Sequence, residues 1–196
     1  MKKNSKQPYL SVTVPIYNEV ENVERLWKRL YTVLSNYKHS YEVIFVDDGS
    51  TDGTRKMIRN LAKTNPQLRA ILFRSNFGQS AAMAAGFKAS RGQVVVAMDG
   101  DLQNDPKDIP LMVDKLQSGY DVVSGWRKNR KDKFIGRKLP SKIANRIICS
   151  VTDVKLHDTG CSLKAFRGDL LRQVALYGEM HRFISAVMRM EGAPST

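Results

Sequence analysis

Short apolar runs alternate with helical segments through residues 10–124 of the chain. The runs are four to five residues long and predict buried strands at 10–14, 42–46, 70–73, 94–98 and 121–124. Between them, three- and four-residue periodicity or an Ala-rich composition predicts helices at 20–37, 54–63, 79–90 and 108–117. Asn18 and Glu21 resemble a capping box at the start of the first helix. This alternation predicts an α/β fold with a mostly parallel, Rossmann-like sheet and helices on both faces.

The pattern changes after Gly125, where the chain becomes strongly basic. Residues 126–146 contain nine basic side chains and one acid. Apolar residues recur every four positions, at Ile135, Leu139, Ile143 and Ile147. This spacing predicts a basic amphipathic helix at about 134–151, of the kind that lies on an anionic membrane surface. A helix packed against the core would show the same stripe, so the spacing alone leaves both placements open.

The charge balance indicates an anionic partner. The chain carries 32 basic and 19 acidic side chains, a net charge of +13. Such an excess suits nucleic acid, an anionic membrane or a phosphorylated substrate. A nucleic-acid-binding module would need stacking or base-reading groups among its cations, and the basic segment offers only Trp126 and Phe134. We therefore expect no nucleic-acid partner, and a basic nucleic-acid-binding module stays as the alternative of another class. No apolar stretch reaches the roughly 18 residues of a membrane-spanning helix.

Three polar clusters come directly after predicted strands: PIYNE at 15–19, DDGS at 47–50 and DGDLQ at 99–103. In open parallel sheets, ligands bind beyond the carboxyl ends of the strands. Two aspartates two residues apart can bind one Mg²⁺ or Mn²⁺, and such an ion typically also coordinates a diphosphate. For Asp47 and Asp48 a role in capping and turns is the alternative, because Asp, Gly and Ser all favour turns.

Four motifs together resemble inverting family-2 glycosyltransferases of the GT-A fold, and in pattern the polyprenyl-phosphate sugar synthases. They are VPIYNEVENV, VDDGSTDGT, NFGQSAAMAAGF and MDGDLQNDP, and the resemblance covers about residues 9–190. It implies transfer of a hexose from a nucleotide sugar, preferably a UDP-sugar, with inversion and with Mg²⁺ or Mn²⁺ as cofactor. A nucleotidyltransferase is a weaker reading, since the loop after the first strand is acidic and lacks glycine.

The resemblance also implies a role for each matching residue. The donor pocket would be formed by Pro15, Tyr17, Glu19, Asp47, Asp48, Asp99 and Gly100. Within it, Asp48 would hydrogen-bond the base. The metal would be held by Asp99, Asp101 and Gln103. Arg127 would contact the donor diphosphate or the acceptor phosphate, Arg137 with Lys138 would lie near the acceptor phosphate, and Asp158, in HDTGCSLKAF, matches the carboxylate proposed as catalytic base.

The chemistry of the acceptor favours a lipid phosphate. A sugar hydroxyl needs a general base to take its proton, whereas a phosphate monoester is already anionic at neutral pH. It needs cations to hold it, and the basic segment supplies them. A sugar hydroxyl acceptor in cell-envelope polysaccharide synthesis remains the alternative, and Asp158 could act as a base or only position the acceptor.

The chain is therefore predicted to be a single catalytic domain over residues 1–196. The resemblance implies that, in relatives, the corresponding domain is followed by membrane helices. We expect it to work at the cytoplasmic face of a membrane, with a nucleotide sugar and polyprenyl phosphate as substrates.

Overall fold

The computed structural model describes residues 7–125 and 161–173 together with Ile184. The strands are β1 (Leu10–Ile16), β2 (Tyr41–Asp47), β3 (Leu68–Leu72), β4 (Val94–Ala97), β5 (Val122–Ser124) and β6 (Lys164–Arg167). The helices are α1 (Val20–Leu34), α2 (Thr54–Thr64), α3 (Gln79–Ala89), α4 (Asp108–Gln117) and α5 (Gly168–Leu171). The predicted basic helix at 134–151 lies outside the described residues.

The strands form one six-stranded sheet in the order β3-β2-β1-β4-β6-β5. β1 pairs in parallel with β2 and β4, and β2 pairs in parallel with β3. β6 pairs antiparallel with both β4 and β5. The predicted parallel α/β architecture is confirmed, with one antiparallel strand that was not predicted. That strand is four residues long and begins with Lys164, which is buried despite its charge.

Both faces of the sheet are covered by helices. On one face, apolar residues of α1 such as Leu26 and Leu30 pack with Val12 and Phe45 of the central strands, and α4 joins the same cluster. On the other face, Ala82 of α3 packs against Ile44 and Val46 of β2, and Met83 and Phe87 of α3 pack against other strands. None of the helices in the described part is long and apolar enough to cross a bilayer.

Two details at the end of β1 differ from the prediction. The strand continues through Pro15 to Ile16, because β4 pairs with β1 only as far as Thr13, so the missing N–H of Pro15 removes no bond on that side. The predicted capping box is wrong. Helix α1 begins at Val20 with Glu19 as its N-cap and no side-chain cap, and Asn18 has a φ of 52°. Other boundaries differ from the prediction by up to three residues.

Candidate active site

The candidate site lies where the chain changes direction within the sheet. From β1 the chain winds outward to β2 and β3, then returns to place β4 on the opposite side of β1. The carboxyl ends of β2, β1 and β4 are therefore neighbours, and the clusters 47–50, 15–19 and 99–103 follow them at one edge. A crevice between strands whose connections leave in opposite directions is where open α/β sheets bind ligands. The structure thus brings the three predicted clusters together.

The loops after β1 and β2 are joined by hydrogen bonds centred on Asn18. Its backbone N–H donates to Ser50 Oγ (2.9 Å), and its side-chain Oδ1 accepts from the N–H of Thr51 (2.9 Å). Asn18 has a left-handed backbone conformation and does not form the predicted helix cap. It bonds instead to the loop after β2. Tyr17, just before it, is 47% exposed, and Pro15 and Glu19 are half-buried. The structure therefore holds Tyr17 at an open edge.

Asp52 continues this connection to the start of α1. Its Oδ2 accepts from the N–H of Val20 (3.1 Å) and its Oδ1 from the N–H of Thr54 (3.0 Å). Desolvation acts to raise the pKa of Asp52, but hydrogen bonds from Thr54 and Val20 hold it below its ordinary value. Asp52 thereby satisfies amides at the beginnings of two helices, a role that sequence reasoning missed because its partner Val20 lies 32 residues away.

Asp47 is fully buried and is bonded to the loop that follows it and to helix α2. Oδ1 accepts from the N–H of Ser50 (3.2 Å), and Oδ2 pairs with Nε of Arg55 (2.9 Å). Arg55 also donates to the carbonyl oxygen of Phe73. These contacts match the turn-and-capping alternative for Asp47. Its predicted contact with the donor remains a prediction.

Asp48 is 3% exposed and holds the loop that leads into α3. Its two oxygens accept from the N–H groups of Phe77 (2.8 Å) and Gly78 (2.9 Å). Gly49 allows this close approach, because an added Cβ would lie 2.3 Å from the carbonyl carbon of Ser75 and its φ is +77°. The Asp48 carboxylate is therefore directed at this loop. A hydrogen bond from Asp48 to a nucleobase stays a prediction and would have to share these oxygens.

The loop after β4 carries the predicted metal ligands. Asp99 and Asp101 are half-buried, and Gln103 is exposed. Asp99 Oδ1 accepts from Nε2 of Gln79 (2.9 Å), and Asp101 Oδ1 accepts from the N–H of Gln103 (3.1 Å). Gly100 is buried, and an added Cβ would lie 3.3 Å from the carbonyl oxygen of Pro15. Gly100 thus packs this loop against the end of β1.

Two further contacts fix the shape of that loop. Leu102 has a φ of 64°, an unusual conformation for a leucine, and packs against the core. Asn104 is buried and donates from Nδ2 to Ser162 Oγ (2.8 Å), which ties the loop to the segment before β6. Non-glycine residues with positive φ in the described chain are Asn18 and Leu102, and both lie in loops at this edge. Such strain concentrates at functional sites.

The donor set of this loop fits a hard divalent cation. Asp99, Asp101 and Gln103 provide oxygen ligands, which Mg²⁺ and Mn²⁺ prefer. Within the described ranges no group of three or more His, Cys, Asp or Glu side chains is placed to hold a metal. A metal site that substrate phosphates complete does not require three such side chains, because Mg²⁺ is often held by one or two carboxylates together with phosphate oxygens. The predicted ligands Asp99, Asp101 and Gln103 stay a prediction.

Three predicted site residues, Arg127, Arg137 and Asp158, lie outside the described residues, as does Lys138. Asn104, Ser162 and Arg55 were missed by the sequence analysis. Asn104 belongs to the motif MDGDLQNDP, so its position was marked, but its partner Ser162 is 58 residues away and no local pattern connects them.

Comparison with known proteins points to one family. Residues 11–175 match the model of glycosyl transferase family 2. The chain is 51% identical over 179 residues to dodecaprenyl-phosphate galacturonate synthase from Rhizobium johnstonii, covering 90% of this chain and 53% of the relative. It is 38% identical over 176 residues to undecaprenyl-phosphate 4-deoxy-4-formamido-L-arabinose transferase from Aeromonas hydrophila, covering 89% of this chain and 54% of the relative. The chain thus spans about half the length of these relatives.

Among solved structures, a mannosyltransferase from Pyrobaculum calidifontis in complex with GDP-Man and Mn²⁺ is similar with a TM-score of 0.68. The sequence identity is 22%, and the match covers 97% of this chain and 55% of that chain. This likeness establishes the GT-A fold. The match of residues 11–175 to the family model shows that the protein belongs to glycosyl transferase family 2.

Proposed function

We propose that this chain is the catalytic domain of an enzyme that transfers a hexose-type sugar from a UDP-sugar to a polyprenyl phosphate, with inversion and with Mg²⁺ or Mn²⁺ as cofactor. The observation that carries the proposal is the position of Asp99 and Asp101 at the carboxyl end of β4, beside the ends of β1 and β2. Two relatives with different sugars in their names both have a polyprenyl phosphate in their names, which supports the acceptor.

The donor would lie across the loops after β1 and β4. Pro15, Tyr17 and Glu19 would contact the nucleoside, and Asp99, Asp101 and Gln103 would hold the cation against the diphosphate. The bound cation supplies Lewis-acid stabilisation of the negative charge on the departing diphosphate. Asn18 and Asp48 would not need to contact the donor. They would hold the loops of the site in place through hydrogen bonds to Ser50 and Phe77.

The acceptor phosphate oxygen would attack the anomeric carbon on the face opposite the leaving diphosphate. One bond forms between that oxygen and the sugar while the bond from the sugar to the diphosphate breaks, so the configuration inverts. No proton has to be removed, because the phosphate is anionic at neutral pH. Arg127, Arg137 and Lys138 would hold the acceptor phosphate, and Asp158 would position it.

The segment at 134–151 would lie on the membrane from which the lipid acceptor is drawn. Its charge and four-residue apolar spacing support this placement. The enzyme would then work at the cytoplasmic face of that membrane.

The test is donor binding by calorimetry, with and without Mn²⁺. Asp101→Asn should remove the metal-dependent part of UDP binding while the melting temperature stays within about 2 °C of wild type, since the side chain is half-exposed in a loop. Asp105→Asn is the matched control, because Asp105 lies nearby, is half-buried and also accepts a local amide bond, from the N–H of Lys107 (3.1 Å). Unchanged UDP binding by Asp101→Asn in Mn²⁺ would contradict the metal assignment.

A further inference from the structure

Helix α2 carries an unusual concentration of positive charge. Its sequence TRKMIRNLAKT contains four basic residues and no acid. Arg55 is accounted for by its bond to Asp47. The other three, Lys56, Arg59 and Lys63, are exposed and are called here the α2 cation strip.

The strip works against the stability of its own helix. Lys56 and Arg59 are three residues apart and Arg59 and Lys63 are four apart, spacings at which like charges on a helix repel. Lys56 also lies in the first turn, where a cation opposes the helix dipole and the turn itself contains no acid. Asp52 does accept the N–H of Thr54 just before it, and Lys63 in the last turn favours the dipole. A local rule that is broken in this way is common at functional sites.

No gain comes from ion pairs within the part of the chain that is described. Some exposed cations elsewhere have acidic partners, as Lys28 has Glu24 and Lys38 has Asp114, while others such as Lys88 and Lys115 appear in no salt bridge among those residues. The α2 cation strip takes part in none of the salt bridges formed among those residues. Its charge is therefore available to an anionic partner.

The position of α2 relates the strip to the candidate site. The helix packs on β3, the edge strand of the sheet, and begins immediately after the loop of Asp47 and Asp48. A shallow groove of about 390 Å³ runs beside it, and its lining includes Ser50, Thr51, Arg59 and Lys63. The strip thus starts at the same edge as the candidate site and extends about 10 Å along the helix, close to one Debye length at physiological salt.

We propose that the α2 cation strip is a membrane-contact surface that binds the phosphates of anionic lipids along the side of the sheet next to β3. This inference rests on the proposed function, in which the acceptor is a membrane lipid. The strip fits an extended anionic surface better than a single bound anion, because its three cations are exposed and spread over two turns of helix. The contact is separate from the one proposed for 134–151.

The experiment is co-sedimentation of the full chain with vesicles of phosphatidylglycerol and phosphatidylcholine, compared with phosphatidylcholine alone. The test variant is Lys56→Gln/Arg59→Gln/Lys63→Gln, which leaves Arg55 and Asp47 intact. The control Lys28→Gln/Lys88→Gln/Lys115→Gln removes the same charge from exposed positions on α1, α3 and α4. Each basic residue at an anionic surface contributes about fivefold to binding, so the test variant should lose roughly 100-fold in partition coefficient. The control should lose at most about threefold.

Three results would overturn the proposal. The first is that the test variant binds like wild type. The second is that the control falls as far as the test variant, which leaves net charge as the cause. The third is that inorganic phosphate lowers the binding of wild type to that of the test variant at an ionic strength at which chloride does not, which makes the strip a phosphate-ion site. Metal-dependent UDP binding is measured on the same variants. It should match wild type in both, so a failure of the strip is distinguishable from a failure of the proposed function.

Discussion

The replacement Asp48→Asn separates two roles that this residue can have, in the fold and in the donor pocket. In the structure both carboxylate oxygens accept backbone N–H groups, from Phe77 and Gly78, and the side chain is 3% exposed. Asparagine keeps one acceptor oxygen and places an NH₂ group against the second N–H. The loop between β3 and α3 would lose one charged hydrogen bond and gain one unfavourable contact.

The expected cost follows from those two changes. A hydrogen bond to a charged group contributes about 1.5–3 kcal/mol, and a buried donor without an acceptor costs about 1–3 kcal/mol. Allowing for relaxation of an exposed loop, the free energy of unfolding should fall by about 2–4 kcal/mol. For a chain of this length that lowers the melting temperature by roughly 4–16 °C. UDP affinity would fall as a consequence of the displaced loop.

The assay is chemical unfolding followed by circular dichroism, with UDP calorimetry on the same samples. Asp101→Asn is the crossed control, because it should keep its stability and lose metal-dependent binding. If Asp48→Asn keeps the stability of wild type but loses UDP affinity, the carboxylate contacts the base directly and its role in holding the loop is refuted.

Three further predictions follow from other contacts. Glu42 is buried among Ser11, Arg69 and Arg91; desolvation raises its pKa, but the hydrogen bonds from these groups hold it below the ordinary value of 4.5. Its stabilisation is therefore present above pH 4.5 and is lost as the pH falls towards the lowered pKa. Glu42→Gln should lower stability at pH 7 by about 2–3 kcal/mol and flatten the acid limb of a stability–pH curve, and an unchanged limb would contradict this. Gly49→Ala should cost about 2–4 kcal/mol by thermal unfolding, because the Cβ would lie 2.3 Å from Ser75; a wild-type melting temperature would show that the loop yields freely. Lys138→Glu/Lys142→Glu/Arg146→Glu should weaken binding to anionic vesicles, and equal partitioning would place 134–151 in the core.

The fold was largely predictable because its signal is local. Strand β4 is marked by a continuous run of buried valines, and helix α1 by its three- and four-residue periodicity, each within one segment. The antiparallel β6 was not predictable on that basis. Its pairing partners Val96 and Val123 are distant in sequence, and the charge of Lys164 conceals a buried position.

The sequence predicted the location of the site better than the contacts that its side chains make. Because the carboxyl ends of parallel strands share one edge, the three polar clusters had to meet once the strand order was known. The partners of individual side chains depend on loop geometry. The hydrogen bond from Asn18 to Ser50 is made from a left-handed backbone conformation. Asp48 accepts the N–H of Phe77, which lies 29 residues away in the sequence. Neither contact leaves a pattern in the sequence.

The most direct test of the proposed function is transfer of label from a radiolabelled UDP-sugar in the presence of Mn²⁺. Polyprenyl phosphate, the corresponding polyprenol and a free sugar are offered as separate acceptors. Label should move to polyprenyl phosphate alone, the rate should fall at least about 100-fold in Asp101→Asn, and Asp105→Asn should retain it. Transfer to the sugar hydroxyl in preference to the lipid phosphate, or transfer that Asp101→Asn leaves unchanged, would contradict the proposed reaction.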